Sequence, residues 1–270
     1  MSKIVVIAGL AESLIRFRGD LLDAMRANGH EVAAIAPEDD DSVRQRLAAK
    51  GIDYHVVPMS RAGLNPFADL RYLLQLSRCL RSIKPDVVLA YTIKPVVYGL
   101  PAARLAGVRR RYALITGLGY AFTDAEKSFS RSLVNRVASG LYRFGLRFAN
   151  ALFFQNPDDR QLFKGQGLFN ANVPSWIVNG SGVDTESFPV APLPSHPSFL
   201  FVGRVLRDKG VIEYVEAARA LKPTCPQAAF HLVGPLDSNP SGINADIVSG
   251  WVKEGVVQYH GAVSDVKPHL

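Results

Sequence analysis

The sequence predicts an α/β protein made of two Rossmann-like, doubly wound parallel-sheet domains, the second only partly present. Three observations lead there. Short apolar runs such as Lys3–Ala8, Val87–Tyr91 and Phe199–Val202 alternate with longer segments whose apolar residues recur at helical spacing. The first 36 residues read strand, helix, strand, a unit whose two strands must run parallel. Pro189, Pro192, Pro194 and Pro197 then break the pattern, which restarts beyond them. The expected organisation is therefore a domain over residues 1–188, a stiff linker over 189–197 and the start of a second domain over 198–270.

Each element has its own warrant. Lys3–Ala8 is an apolar strand, Gly9–Ser13 a turn, and Phe17–Asn28 a helix with Leu21, Leu22 and Met25 apolar. Gly29 occupies the C′ position, where a left-handed backbone is wanted. Glu31–Ala36 is the next strand, and the acidic run Glu38–Asp41 is expected to cap a helix reaching Lys50. Tyr54–Val57 is a third strand. Leu70–Ile83 is strongly periodic and stops at Lys84-Pro85. Val87–Tyr91 follows as a strand, then a helix over Pro95–Ala106, a strand over Arg111–Thr116 and a loop holding Gly117 and Gly119. Ser128–Asn150 is a long helix whose core face should carry Leu133, Val137, Leu141, Phe144 and Phe148; Arg136, Arg143 and Arg147 cluster elsewhere on the wheel. Ala151–Gln155 is a strand, Asn156-Pro157-Asp158-Asp159 opens a helix, and Trp176–Asn179 is the last strand before the linker. Beyond the linker come a strand over Phe199–Val202, expected to be buried on both faces, and a helix from Val211. Ala229–Val233 is a strand, Asp246–Lys253 a helix and Val256–His260 a strand. Residues 198–270 fall short of the roughly 100–150 that such a domain takes.

Bulk properties narrow the function. At 270 residues and 48% hydrophobic content the chain can bury a core. Cys79 and Cys225 lie far apart with no CxxC, and the six histidines have no ligand spacing, so neither a disulfide nor a metal site is expected. No run approaches the roughly 18 apolar residues of a membrane span, and Ile4–Ala8 is too short for a signal core, which gives a cytoplasmic expectation. The net charge of +7 is uneven: residues 60–164 carry 17 basic against 6 acidic side chains, whereas residues 191–270 carry 7 of each. Such an excess calls for an anionic partner. Nucleic acid, a phosphate-rich ligand and a membrane surface are the options; nucleic acid is the weakest and is not expected, since no helix-turn-helix, zinc-finger or RNP-like pattern occurs. For an anionic membrane surface the expected contacts are Arg109, Arg110, Arg111 and the Arg136/Arg143/Arg147 face; a solvated face is the alternative.

One turn stands out chemically. Gly203-Arg204-Val-Leu-Arg207-Asp208-Lys209-Gly210 lies between the carboxyl end of a strand and the opening of a helix. Unpaired N–H groups and the helix dipole favour an anion there. Arg204 adds a bidentate fork and Lys209 a point charge, the equipment for a diphosphate. A surface turn with solvated charges is the other reading.

Gly203-Arg204 with Asp208-Lys209-Gly210 resembles the nucleotide-binding turn of retaining GT-B-fold glycosyltransferases of family four. Val178-Asn-Gly-Ser-Gly-Val-Asp184 with Phe188, Gly29-His30-Glu31-Val32, and Ile115-Thr-Gly-Leu-Gly-Tyr-Ala-Phe122 are similar to further stretches of that family, the last to its capsule, O-antigen and exopolysaccharide branch. The resemblance implies a GT-B fold and transfer of a hexose or N-acetylhexosamine from a nucleotide diphosphate sugar, such as a UDP-sugar, to a lipid-linked saccharide. It implies retention of configuration and no metal or other cofactor, at the inner face of a bacterial membrane. It assigns Gly203, Arg204, Lys209 and Gly210 to the donor diphosphate.

Gly9, Ser13, Arg16, Arg18, Gly117 and Gly119 are candidates for the substrate cleft. Ser13, Arg16 and Arg18 suit an acceptor diphosphate; Gly117 and Gly119 serve equally as a tight turn. The Gly9–Ser13 loop departs from the family's paired glycines. Asn179 and Asp184 read as hinge residues, and no catalytic acid or base can be assigned. The Glu-x7-Glu pair that grips the donor sugar in this family has no counterpart after residue 198, so residues 1–270 alone are expected not to turn over. A nucleotide-sugar epimerase of similar fold, or a non-catalytic nucleotide- or membrane-binding fragment, are the competing readings.

Overall fold

A computed structural model describes residues 1–60, 65–117, 129–237 and 241–270, the side chains of 129–133 excepted. The chain forms two compact units, Met1–Gly182 and Val183–Leu270.

The first unit is built on a seven-stranded, all-parallel sheet: β1 (Lys3–Ile7), β2 (Glu31–Ala36), β3 (Asp53–Val56), β4 (Val87–Tyr91), β5 (Arg110–Ile115), β6 (Ala151–Phe154) and β7 (Ser175–Ile177). Their order is β3-β2-β1-β4-β5-β6-β7, with the direction of winding reversing between β1 and β4. An open sheet of this kind binds ligands outside the carboxyl ends of the strands at that reversal. Every register is parallel, as in Val5 opposite Ala33 and Val88.

Both sheet faces are covered by helices, which is why the strands read as apolar runs. One face packs Val5, Ile35, Val88, Ala113 and Leu152 against α4 (Pro66–Ile83), α5 (Leu100–Leu105), α6 (Phe129–Leu146) and α7 (Pro157–Gly165). The other packs Ile4, Val6, Val32 and Leu89 against α1 (Ala11–Arg16), α2 (Gly19–Ala27) and α3 (Asp41–Ala49).

Several expectations change in detail. The segment expected as a turn at Gly9–Ser13 coils into α1, because Ala11 and Leu14 bury completely and Glu38 Oε2 accepts from Ala11 N–H at 2.8 Å. Glu38 therefore closes α1 and not α3, whose cap is Asp40, accepting from Val43 N–H at 3.0 Å. The expected helix over Pro95–Ala106 is a π-helical turn at Pro95–Gly99 followed by α5.

The long helix α6 turns a different face inward. Ala138, Tyr142, Leu146 and Ala149 are buried, while Phe144 is 43% exposed and Val137, Leu141 and Phe148 are half-buried. Close approach explains this. A Cβ on Gly145 would lie 2.6 Å from Val97 Cα, so the face that carries Gly145, with Ala138, Tyr142 and Leu146, is the one that meets the π-turn. Leu133 lies outside the described side chains.

The second unit holds a three-stranded parallel sheet in the order β10-β9-β8, from β8 (Ser198–Val202), β9 (Ala229–Val233) and β10 (Gln258–Gly261). Helices α8 (Val211–Leu221) and α9 (Ala245–Lys253) bury Val211, Val215, Val248 and Trp251 against Phe230 and Leu232. Within the described residues β8 lies at the edge of this sheet, with Phe199 41% and Val202 50% exposed, so the burial expected of it on both faces is not seen there.

Candidate functional site

Two places carry the chemistry, one in each unit. In the second unit, the turn from Gly203 to Gly210 is held by its backbone. Val205 N–H donates to Pro235 O at 3.0 Å and Arg207 N–H to Ser241 O at 2.8 Å, and the Val205 and Leu206 side chains are buried as anchors. Arg207–Lys209 makes one 3₁₀ turn that ends on Gly210 at φ 80°, a left-handed conformation natural to glycine. Gly210 is also the residue before α8 and brings no side chain to its opening N–H groups. Gly203 backs onto Gly234: a Cβ on Gly234 would lie 1.8 Å from Gly203 O, so the two loops meet backbone to backbone. Arg204 and Lys209 are the turn's expected cations. Arg204 is half-exposed and paired with Asp237 Oδ2 at 2.9 Å. Lys209 is exposed.

In the first unit, a cavity of about 460 Å³ opens at the carboxyl ends of β1 and β4, the switch point of the winding. Gly9, Ser13 and Arg18 line it together with Tyr91, Thr92 and Lys94. Arg18 follows α1 and is only 4% exposed. Its Nη1 donates to Phe17 O at 2.8 Å and Ser181 Oγ at 2.7 Å, and its guanidinium sits 4.9 Å from the centre of the Tyr91 ring. Burial pushes its pKa below the ordinary arginine value, with the Tyr91 oxygen acting the other way. Ser13 Oγ lies 2.5 Å from Leu10 O and 2.7 Å from Tyr91 Oη, so its one proton goes to the carbonyl and the tyrosine donates to it. Burial raises the Tyr91 phenol to about 12.

The other candidates fall elsewhere. Arg16 is exposed on α1, paired with Glu12 at 2.9 Å, and does not line the cavity, because it points along the helix surface at i,i+4 spacing. Gly117 stands just past β5 at φ 132°, while Gly119 lies outside the described residues. Of the basic surface residues, Arg109, Arg110, Arg136 and Arg147 are exposed. Arg111 is not free: Nε donates to Phe148 O at 2.7 Å and Nη1 to the carbonyls of Val108 and Arg109. Arg143 likewise donates to Gln166 O at 2.8 Å and Gly167 O at 3.3 Å, at the end of α7. Both guanidinium groups clasp backbone carbonyls of their own unit.

Sequence reasoning missed Asp69, Tyr91, Thr92 and Lys94. The signal was present: a polar Thr-x-Lys-Pro directly after an apolar parallel strand stands where such sheets bind ligands. Asp69 gave none, because α4 carries it on a face that periodicity assigns to the core. Among the described residues no group of histidine, cysteine and carboxylate side chains is arranged to hold a metal, and no helix is long and apolar enough to cross a membrane.

Two Rossmann-like units in one chain, each with a polar site beyond a strand's carboxyl end, define the GT-B class of glycosyltransferase. Residues 15–176 match the glycosyl transferase 4-like domain, and the chain belongs to that family. It is 30% identical over 268 residues to the N,N'-diacetylbacillosaminyl-diphospho-undecaprenol alpha-1,3-N-acetylgalactosaminyltransferase of Campylobacter jejuni, covering 94% of this chain and 68% of that one. It is 28% identical over 209 residues to the UDP-Gal:alpha-D-GlcNAc-diphosphoundecaprenol alpha-1,3-galactosyltransferase of Escherichia coli, covering 72% and 50%. Among solved structures, Anabaena HepE in complex with UDP and glucose superposes with a TM-score of 0.68 at 17% identity, over 99% of this chain and 71% of that one. That last likeness is one of fold.

Proposed function

We propose that the protein transfers a hexose or N-acetylhexosamine from a UDP-sugar to a hydroxyl of a saccharide linked through a diphosphate to a polyprenol, with retention of configuration, in bacterial surface polysaccharide synthesis. The observation that carries this is the 30% identity across 94% of the chain to a transferase whose acceptor is a diphospho-undecaprenol. The donor's diphosphate binds at the Gly203–Gly210 turn, and the acceptor enters the cavity of the first unit. In the reaction the bond from the anomeric carbon to the diphosphate oxygen breaks. A bond to the acceptor oxygen forms, UDP departs with the bonding electrons, and the hydroxyl proton passes to the departing diphosphate oxygen. Arg204, Lys209 and the first N–H groups of α8 stabilise the negative charge that grows on the leaving oxygen, the task a metal performs elsewhere. The protein works at the inner membrane surface, held there by basic side chains of the first unit.

The test uses the protein expressed from its natural reading frame, a panel of UDP-hexoses and UDP-N-acetylhexosamines, and undecaprenyl-diphosphate-linked saccharides as acceptors. The expected product is heavier by one sugar and keeps the donor's anomeric configuration by NMR. Epimerisation of the UDP-sugar without transfer would instead establish an epimerase, and transfer with inversion would remove the retaining mechanism.

A further inference from the structure

Arg18 is a buried cation that no carboxylate pairs among the described residues. Its Nη1 donates to a carbonyl and a hydroxyl, both neutral, and its Nε is buried with no hydrogen-bond partner. A desolvated charge in that state is costly until an anion completes it. Across the same cavity Thr92 holds φ at 67°, a conformation β-branched residues avoid, and its Oγ1 is also buried and unpartnered. Gly9 makes the room, since a Cβ there would stand 2.5 Å from Thr92 Oγ1. Two residues on, Lys94 is 8% exposed and donates to Asp69 Oδ1 at 2.8 Å, while Tyr98 donates to Asp69 Oδ2 at 2.9 Å. The π-turn begins at the next residue, and such turns gather at functional sites.

We propose that Arg18, Thr92 and Lys94 form a diphosphate cradle in the first unit, that it holds the diphosphate of the lipid-linked acceptor, and that Asp69 is a positioning residue which aims Lys94. The inference rests on the acceptor reading above and names the group by which that acceptor is gripped. Backbone strain and buried unpaired donors at one point are held in place by the surrounding fold, the pattern of a site prepared for a ligand. Asp69 offsets one of the two positive charges, so the cradle is weakly positive. That suits a diphosphate diester, with two negative charges, better than free UDP, which carries more. Leu10, Phe17, Met59 and Ile93 give the cavity an apolar wall. Such a wall fits the first prenyl unit next to the phosphates.

Calorimetric titration of the protein with three probes separates the sources of a diphosphate: a farnesyl-diphospho-N-acetylglucosamine, UDP and inorganic pyrophosphate. Lys94→Met and Thr92→Val are each expected to weaken the farnesyl probe about 10- to 100-fold while leaving UDP unchanged. Arg204→Ala should do the reverse. Asp69→Asn should weaken the farnesyl probe, and Asp69→Glu should restore part of the loss, which a purely structural role would not predict. Because Lys94→Met strands a buried carboxylate, the double variant Lys94→Met/Asp69→Asn is measured beside it, with circular dichroism to confirm folding. Farnesyl-probe affinity unchanged in the folded double variant and in Thr92→Val overturns the cradle while leaving the acceptor reading standing. Loss of UDP affinity in those variants, with the farnesyl probe unaffected, assigns the cavity to the donor and overturns it too. If wild-type protein transfers sugar only to acceptors without a diphosphate, the acceptor reading itself fails.

Discussion

Arg204 and Lys209 share a turn but not a situation. Arg204 already has a carboxylate, Asp237 at 2.9 Å, which it must exchange for a phosphate. Lys209 is exposed and loses only hydration on binding. A charged hydrogen bond to a phosphate is worth about 1.5–3 kcal/mol, so Arg204→Ala should fall near the low end and Lys209→Ala should equal or exceed it. UDP titration of both variants measures the order; unchanged affinity in both would remove the turn from the donor site. Thr92 permits a prediction of opposite sign. A left-handed β-branched residue stores about 1–3 kcal/mol of strain, and asparagine accepts that conformation more readily. Thr92→Asn should therefore raise the melting temperature while it weakens acceptor binding. At this scale the sequence was partly readable. Arg18 was recognisable from its place after the first strand, but its neutral surroundings among the described residues were not, since those depend on what a distant segment, Ser181, brings to it.

Elements were more legible than their faces. Runs such as Val87–Tyr91 and the period of Leu70–Ile83 define strand and helix locally, because burial on both faces or on one stripe leaves a direct imprint on residue choice. The orientation of α6 left a misleading imprint: Phe144 lies beside the exposed arginines, and the buried face mixes Gly145 and Ala138 with Tyr142 and Leu146. Helical periodicity weights large side chains, whereas the contact with the π-turn is decided by how closely two backbones approach. The π-turn itself was invisible for a similar reason, as nothing in Pro-Val-Val-Tyr-Gly separates it from a regular helix start. The contact makes a firm prediction. Gly145→Ala puts a methyl 2.6 Å from Val97 Cα and should cost about 1–3 kcal/mol by denaturant unfolding, with α6 pushed off the π-turn and acceptor affinity reduced. In the second unit, His231 on β9 stands 3.0 Å from His260 on β10, nitrogen to nitrogen. Burial first, and the neighbouring His260 and His269 next, lower the His231 pKa. A base with a depressed folded pKa binds fewer protons folded than unfolded, so stability rises with pH across the window below the ordinary histidine value of about 6.5. Acidification from pH 7 toward 5 should destabilise this unit, and His231→Gln should flatten the dependence in a pH-resolved thermal melt.

Charge separates the units of the whole molecule. Residues 1–182 carry 24 basic and 15 acidic side chains, a net +9, and residues 183–270 carry 7 and 9, a net −2. The excess belongs to the unit proposed to receive a lipid-linked acceptor, and the exposed part of it is specific. Arg109 and Arg110 precede the body of β5, and Arg147 follows α6; the bond from Arg111 to Phe148 O ties those two stretches together. Phe144 is exposed on α6 and packs edge-on against Phe148 at 5.6 Å, which adds an apolar contribution beside the charges. Each basic side chain at an anionic surface is worth about 1 kcal/mol, so reversing Arg109 and Arg110 to Glu should remove most binding to anionic vesicles. Phe144→Ser should weaken binding less and without changing its dependence on salt. Arg111→Ala and Arg143→Ala should behave differently, lowering thermal stability more than vesicle affinity, because those guanidinium groups bond to backbone carbonyls of their own unit. Co-sedimentation with neutral and with anionic vesicles, across a salt series, decides the matter. Binding must require the anionic lipid and fall as salt shortens the Debye length from about 10 Å at 0.1 M toward 3 Å at 1 M. Equal binding to neutral vesicles, or full retention in the doubly reversed variant, would show that the positive unit meets some other anion.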